Sequence, residues 1–184
     1  MAFTELDPTT ALVVIDMQKG IVALPVAHPI QPVIAHVAQL AQAFRAKNLP
    51  VVLVNVAGRA PGRTDAKNSF TPPPDWVELI PELDQQPSDH VVTKLQLGAF
   101  VGTSLEQFLR RRGVTQIVLC GVATSIGVES TARQAYDLGF HVSFVADAMT
   151  DLSAESHAHS LERIFPRIGE TGLTAALIGL LAGR

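Results

Sequence analysis

Two charged residues and one turn have the types and placement for hydrolytic chemistry. Asp16 closes the apolar run at 11–15, and Lys94 stands just past the short run at 90–93. The turn at 121–127 joins an apolar run at 117–119, broken by Gly121, to a segment with helical spacing at Ile126, Val128, Ala132, Ala135 and Tyr136. Short continuous apolar runs read as strands buried on both faces. In a parallel sheet the C-terminal strand ends share one edge, so these three points converge although they are far apart in sequence. A strand that turns sharply into a helix also aims backbone N–H groups at that edge. The carboxylate can move protons, the ammonium can fix it or a substrate anion, and the N–H groups can hold a developing oxyanion. On spacing alone, a structural ion pair between Asp16 and Lys94 fits as well.

The elements that must carry these residues alternate between strand and helix. The stretch at 17–32 reads as a loop with three prolines and His28. Val33, Val37, Leu40, Ala41 and Phe44 recur at helical spacing and predict an amphipathic helix over 32–47, ended by Asn48 and Pro50. A second strand is expected at 51–56, followed by a long Gly- and Pro-rich loop at 57–74 that carries Arg59 and Arg63. Asp75 and Glu78 form a capping box around Trp76, predicting a short helical turn that Pro81 ends. Thr103 and Glu106 form another, predicting a helix with Leu105, Phe108 and Leu109 inward. A fifth strand is expected at 141–146, before Asp147. Ser153 then starts a helix that Pro166 stops, 167–169 reads as a sixth strand, and 172–181 as the last helix. The alternation predicts one α/β domain over 1–184, a parallel sheet with helices on both faces.

The bulk numbers exclude several classes. The chain has 184 residues, 47% apolar and 17% charged, which makes it globular. Net charge is -3 with no basic stripe, so nucleic acid is not expected as a partner; the run Arg110, Arg111 and Arg112 suits a helix C-terminus. No apolar run approaches the ~20 residues of a membrane span. The single cysteine, Cys120, excludes an intrachain disulfide, and with no signal-peptide pattern at the start it fits a cytoplasmic protein. Cys120 itself reads as a packed core thiol.

The chain resembles the isochorismatase-like hydrolases, a superfamily that includes nicotinamidases and N-carbamoylsarcosine amidases. The resemblance rests on Ala-Leu-Val-Val-Ile-Asp-Met-Gln at 11–18 and Val-Thr-Lys at 92–94 with Gly98-Ala-Phe and Gly102-Thr. Its third part is Leu-Cys-Gly-Val-Ala-Thr-Ser-Ile-Gly-Val-Glu-Ser-Thr-Ala-Arg at 119–133. It implies a six-stranded parallel α/β sandwich, Asp16 and Lys94 as catalytic residues, and a cis peptide bond between Val122 and Ala123. Gln18, Val122, Ala123, Thr124 and Ser125 then stand around the substrate. Homo-oligomers are common in the family. Where most members carry a nucleophilic Cys, this chain has Gly127, so no thioester can form there. Members with Gly at this place include isochorismatases, which hydrolyse a vinyl ether and release pyruvate. The expectation is therefore a hydrolase of a small, anionic molecule without covalent Cys catalysis. The alternatives are an amide or ester hydrolase with Asp16-activated water, and a degenerate homologue that only binds a small molecule.

Several residues keep two readings. Arg59 and Arg63 either grip a substrate carboxylate or are solvated loop residues. Trp76 walls the same pocket or anchors its turn. Thr124 and Ser125 are replacement nucleophiles or helix caps. No metal or other cofactor is expected: the segment after the second strand, where nicotinamidases carry ligands, has no His or carboxylate through Arg63, and His157 and His159 lie two apart on a helix.

Overall fold

The structure is a computed structural model that describes residues 3–65 and 71–183. Six strands form one sheet: β1 (Thr10–Ile15), β2 (Val51–Val56), β3 (His90–Lys94), β4 (Gln116–Val122), β5 (His141–Thr150) and β6 (Glu170–Gly172). Every pairing is parallel, in the spatial order β3-β2-β1-β4-β5-β6. Around it lie α1 (Lys19–Val22), α2 (Ile30–Ala46), α3 (Leu105–Arg111), α4 (Glu129–Asp137), α5 (Ala154–His159) and α6 (Thr174–Ala182). This is the six-stranded α/β sandwich that the sequence pattern and the resemblance together imply.

The period of two along β1 sorts the core into two layers. Leu12 and Val14 pack with Val37, Leu40 and Phe44 of α2 and Leu177 of α6. Ala11, Val13 and Ile15 pack on the other face with Leu105 and Leu109 of α3 and Ala132 and Ala135 of α4. All six residues of β1 are buried, which is why its sequence is apolar without alternation. Each Leu or Phe so buried stabilises the fold by about 1.5–3 kcal/mol. From β1 the chain moves to β2 and β3 on one side, then returns to β4, β5 and β6 on the other. The switch falls between β1 and β4, and open α/β sheets bind ligands in the crevice at the carboxyl ends of such strands.

Local details differ from the sequence expectations for physical reasons. Gly121 does not end β4. It sits inside the strand at φ 111, and a Cβ there would collide with the Ile15 backbone carbonyl. The β4–β5 register shifts between Leu119 and Gly121 to absorb it. β5 continues past Asp147, because Asp147 Oδ1 accepts from the Thr174 N–H and hydroxyl, both at 2.8 Å, and so tethers the start of α6. Neither capping box closes. The Thr103 hydroxyl donates to the Ala99 carbonyl at 2.6 Å and accepts from the Leu105 N–H at 3.2 Å, while the Glu106 carboxylate faces Arg110, and α3 starts only at Leu105. Near Trp76 the chain makes a turn, with the Glu78 side chain drawn instead to Lys19 Nζ at 2.5 Å. Pro81 opens a 3₁₀ turn rather than ending a helix, and the stretch at 17–32 contains the short α1. Pro166 lies in another 3₁₀ turn, which displaces β6 to Glu170–Gly172. Residues 66–70 of the expected long loop lie outside the described residues. Among the described residues no helix is long and apolar enough to cross a membrane.

Candidate active site

β1 ends in a residue of left-handed conformation. Asp16 has φ 51, a region that Asp tolerates better than most side chains. Its N–H still bonds the Val54 carbonyl at 2.9 Å, and the chain turns away beyond it. Lys94, the last residue of β3, reaches across β2, with strands about 4.8 Å apart. Its Nζ donates to Asp16 Oδ2 at 2.8 Å and lies 3.3 Å from the Gln96 carbonyl. Asp16 is 4% exposed and Lys94 2%. Asp16 Oδ1, also sealed from solvent, has no hydrogen-bond partner among the described residues. Burial pushes the Asp16 carboxyl up to about 6, while the charge and hydrogen bond of Lys94 pull it down without cancelling that rise. The pair thus contains a carboxyl that exchanges its proton near neutral pH.

The third component comes from the end of β4. The Val122–Ala123 peptide bond is cis. Thr124–Val128 then winds as a single π-helical turn into α4, a local form frequent at functional sites. The Val128 N–H bonds the Ala123 carbonyl at 3.1 Å, and the Ser125 N–H bonds Asp151 Oδ2 at 2.6 Å. Asp151 is buried at the end of β5, and its other oxygen accepts from the Leu152 N–H at 2.7 Å. This carboxylate anchors the turn from behind. Gly127 lies over the ion pair. A Cβ built on it would stand 3.1 Å from Asp16 Oδ2, 3.6 Å from Lys94 Nζ and 2.9 Å from Ile15 Cγ2. Glycine therefore leaves the pair open above.

A cavity of about 140 Å³ occupies that space. Asp16, Lys94, Gly127, Arg59, Val122 and Ala123 all line it, so the structure brings these sequence candidates together. Five others stand elsewhere. Gln18 is wholly buried and acts as a strap: its Nε2 donates to the Trp76 carbonyl at 2.7 Å, and its Oε1 accepts from the Val56 N–H at 2.7 Å. Trp76 anchors its turn, with Nε1 donating to the Val56 carbonyl at 3.1 Å and its ring covering Gly20. The Thr124 hydroxyl donates to the Thr150 carbonyl at 3.0 Å and meets His157 Nδ1 at 2.8 Å, so it is held behind the turn. Ser125 contributes its N–H to Asp151, and neither hydroxyl caps the helix. Arg63 is exposed and is not part of the cavity wall.

Sequence reasoning missed the apolar wall: Ile21, Leu24, Leu97, Ile126 and Leu152, together with Gln96. Their signal was position, since Leu97 and Leu152 follow directly on the strand ends that carry Lys94 and Asp151. Cys120 lies on the α2 side of the sheet, wholly buried, and burial drives its thiol far above the usual range. Among the described residues no group of three or more His, Cys, Asp or Glu side chains is arranged to hold a metal ion.

The isochorismatase domain matches residues 10–176, nearly the whole chain. The uncharacterized isochorismatase family protein YwoC of Bacillus subtilis is 46% identical over 173 residues, covering 90% of each chain. The structure of an isochorismatase family protein from Burkholderia thailandensis superposes with a TM-score of 0.92 at 45% identity, covering 97% of this chain and 98% of that one. The ureidoacrylate amidohydrolase RutB of Pseudomonas syringae is 31% identical over 170 residues, covering 76% of this chain and 69% of RutB. The strand order, the strand-end placement of Asp16 and Lys94 and these likenesses agree: the chain is a hydrolase and belongs to the isochorismatase family.

Proposed function

We propose that this enzyme hydrolyses a small substrate by proton transfer at Asp16, with no covalent intermediate on the protein. The observation that carries the reading is the Asp16 carboxyl: buried, titrating near 6, with Oδ2 on Lys94 beneath Gly127 and Oδ1 without a partner among the described residues. Position 127, over the pair, is glycine and supplies no nucleophile, and Thr124 and Ser125 of the same turn do not line the cavity.

Enol-ether hydrolysis suits such a group. Asp16 protonates the terminal carbon of the enol ether, which becomes an oxocarbenium ion. Water adds to the cationic carbon and returns a proton to the carboxylate. The hemiketal then collapses to a ketone and an alcohol; for an enolpyruvyl ether the ketone is pyruvate. Lys94 holds the carboxyl in place and steadies its ionised form between the two transfers. Gly127 leaves room for the substrate above the pair.

The likeness to RutB favours a second reading, amide hydrolysis with Asp16 as the base that activates water. At neutral pH a carboxyl titrating near 6 is about nine-tenths ionised, so either role is open to it. The test is pyruvate release from enolpyruvyl ethers, with isochorismate and 2-ethoxyacrylate as substrates, by the wild type and by Asp16→Asn at equal concentration. Release by the wild type and its loss in the variant supports enol-ether hydrolysis. No release from either substrate overturns it and leaves the amide reading, to be tested on small ureido and amide acids.

A further inference from the structure

The cavity above Asp16 has a divided character. Its floor is the Asp16–Lys94 pair, in which Lys94 Nζ serves Asp16 Oδ2 and the Gln96 carbonyl, and Asp16 Oδ1 is the polar atom without a partner among the described residues. Between floor and mouth the wall is aliphatic, built by Ile21, Leu24, Val56, Ile126 and Leu152 from separate stretches of the chain. Among the described residues the one amide side chain in the lining, Gln96, donates to the Val101 carbonyl. Leu97, Leu152 and Ile126 are 59%, 47% and 38% exposed, unusual for large apolar side chains lining one concave surface. Arg59 lines the same cavity, is exposed, and has no hydrogen bond or ion pair to any described residue.

Each feature constrains the ligand. A cavity of about 140 Å³ matches the size of an apolar hole of about 150 Å³ that holds benzene, roughly six non-hydrogen atoms. An aliphatic wall offers no partner to a hydroxyl, and a hydroxyl buried against it gives up its hydrogen bonds to water without replacement. A free guanidinium beside an apolar cavity favours one planar anion over a neutral group. We infer that the site takes a compact monocarboxylate with an apolar, hydroxyl-free body, its carboxylate on Arg59 and its body against the Ile126–Leu152 wall. This rests on the proposal that the cavity over Asp16 is the reacting site, and it narrows the substrate class. A dianionic, polyhydroxylated ring is a poor fit for this wall.

The experiment compares binding of cyclohex-1-ene-carboxylate, its carboxamide, and shikimate, which adds three hydroxyls to the same ring acid. Binding is followed by ligand-observed NMR on the whole chain, with Asp16→Asn measured in parallel. The plain acid is expected to bind at least about tenfold more tightly than shikimate and more tightly than the carboxamide. Arg59→Gln should remove the preference for acid over amide, and Leu152→Asn should narrow the gap to shikimate. Equal or tighter binding of shikimate, or no saturable binding of the plain acid, overturns the inference. The readout needs no turnover, so it fails separately from the proposed reaction. Selective binding without enol-ether hydrolysis would sink the reaction alone, and hydrolysis with tighter shikimate binding would sink the substrate class alone.

Discussion

Asp16 and Asp89 are both nearly sealed from water and both face a cation, yet they are built to opposite ends. Asp89 is fully satisfied. Arg45 Nε meets its Oδ1 at 3.1 Å, Arg45 Nη2 meets its Oδ2 at 2.7 Å, and the Gln86 N–H adds a third bond at 2.8 Å. The guanidinium also donates to the Leu83 carbonyl at 3.0 Å, so the pair ties α2 to the segment before β3. Asp16 has one partner atom and one buried bare oxygen, at the carboxyl end of the sheet. A planar fork on a carboxylate fixes a charge state and a geometry. A single ammonium on one oxygen, in a desolvated site, leaves the proton free to come and go. The contrast separates a buried pair that holds structure from one that, in the proposed reaction, moves a proton.

Asp16→Asn sharpens that contrast most. Asparagine keeps the shape but cannot exchange a proton, and turnover should fall by about a hundredfold to ten-thousandfold, the usual worth of a general acid or base. Circular dichroism should stay native. A variant that keeps more than a tenth of the activity would remove Asp16 from the chemistry.

Arg45→Ala is the complementary break. It strands the Asp89 carboxylate in the interior, and such losses cost about 3–5 kcal/mol of stability. Urea unfolding should show the midpoint drop, while kcat of the protein that remains folded stays near wild type. A loss below about 1 kcal/mol would place this pair among surface contacts.

The two pairs were not equally legible in the sequence. Asp16, Lys94 and the turn at 121–127 could be placed because they follow short apolar runs, and parallel topology gathers strand ends without further information; the resemblance singles out Gly127 within that turn. The layers followed from period as well: Val37, Leu40 and Phe44 could face only a core. What could not be read depends on partners set by loops. The resemblance at 11–18 puts Gln18 beside the substrate, but its partners Val56 and Trp76 are 38 and 58 residues away. Arg45 and Asp89, 44 residues apart, carry no local pattern. The apolar wall escaped notice because Leu152 lies beyond a strand that runs four residues further than its polar Asp147 suggests.

The Asp16 carboxyl should also leave a mark on stability. Its folded value is near 6 against 3.8 for the free group, so the folded state holds a proton that the unfolded state releases across that window. Its contribution is fully present below pH 3.8 and is lost as pH rises through about 6, by roughly 3 kcal/mol for a shift of this size. Urea midpoints should show this fall with pH in the difference between wild type and Asp16→Asn. A difference that is flat across the window would mean that Lys94 already holds the carboxylate ionised.

The smallest expected effect is none, and it tests the missing thiol. Cys120 is the chain's only cysteine. It lies on the α2 side of the sheet, wholly buried, with its thiol driven away from the reactive thiolate by desolvation. Iodoacetamide should therefore leave native enzyme unlabelled and fully active, and label it only in denaturant. Inactivation that tracks alkylation of the native protein would show that Cys120 reaches the site through some opening of the core, and covalent catalysis would return. Intact mass measured alongside residual activity separates the two, because modification without inactivation would expose the thiol yet leave Asp16 the only candidate for the proton transfer.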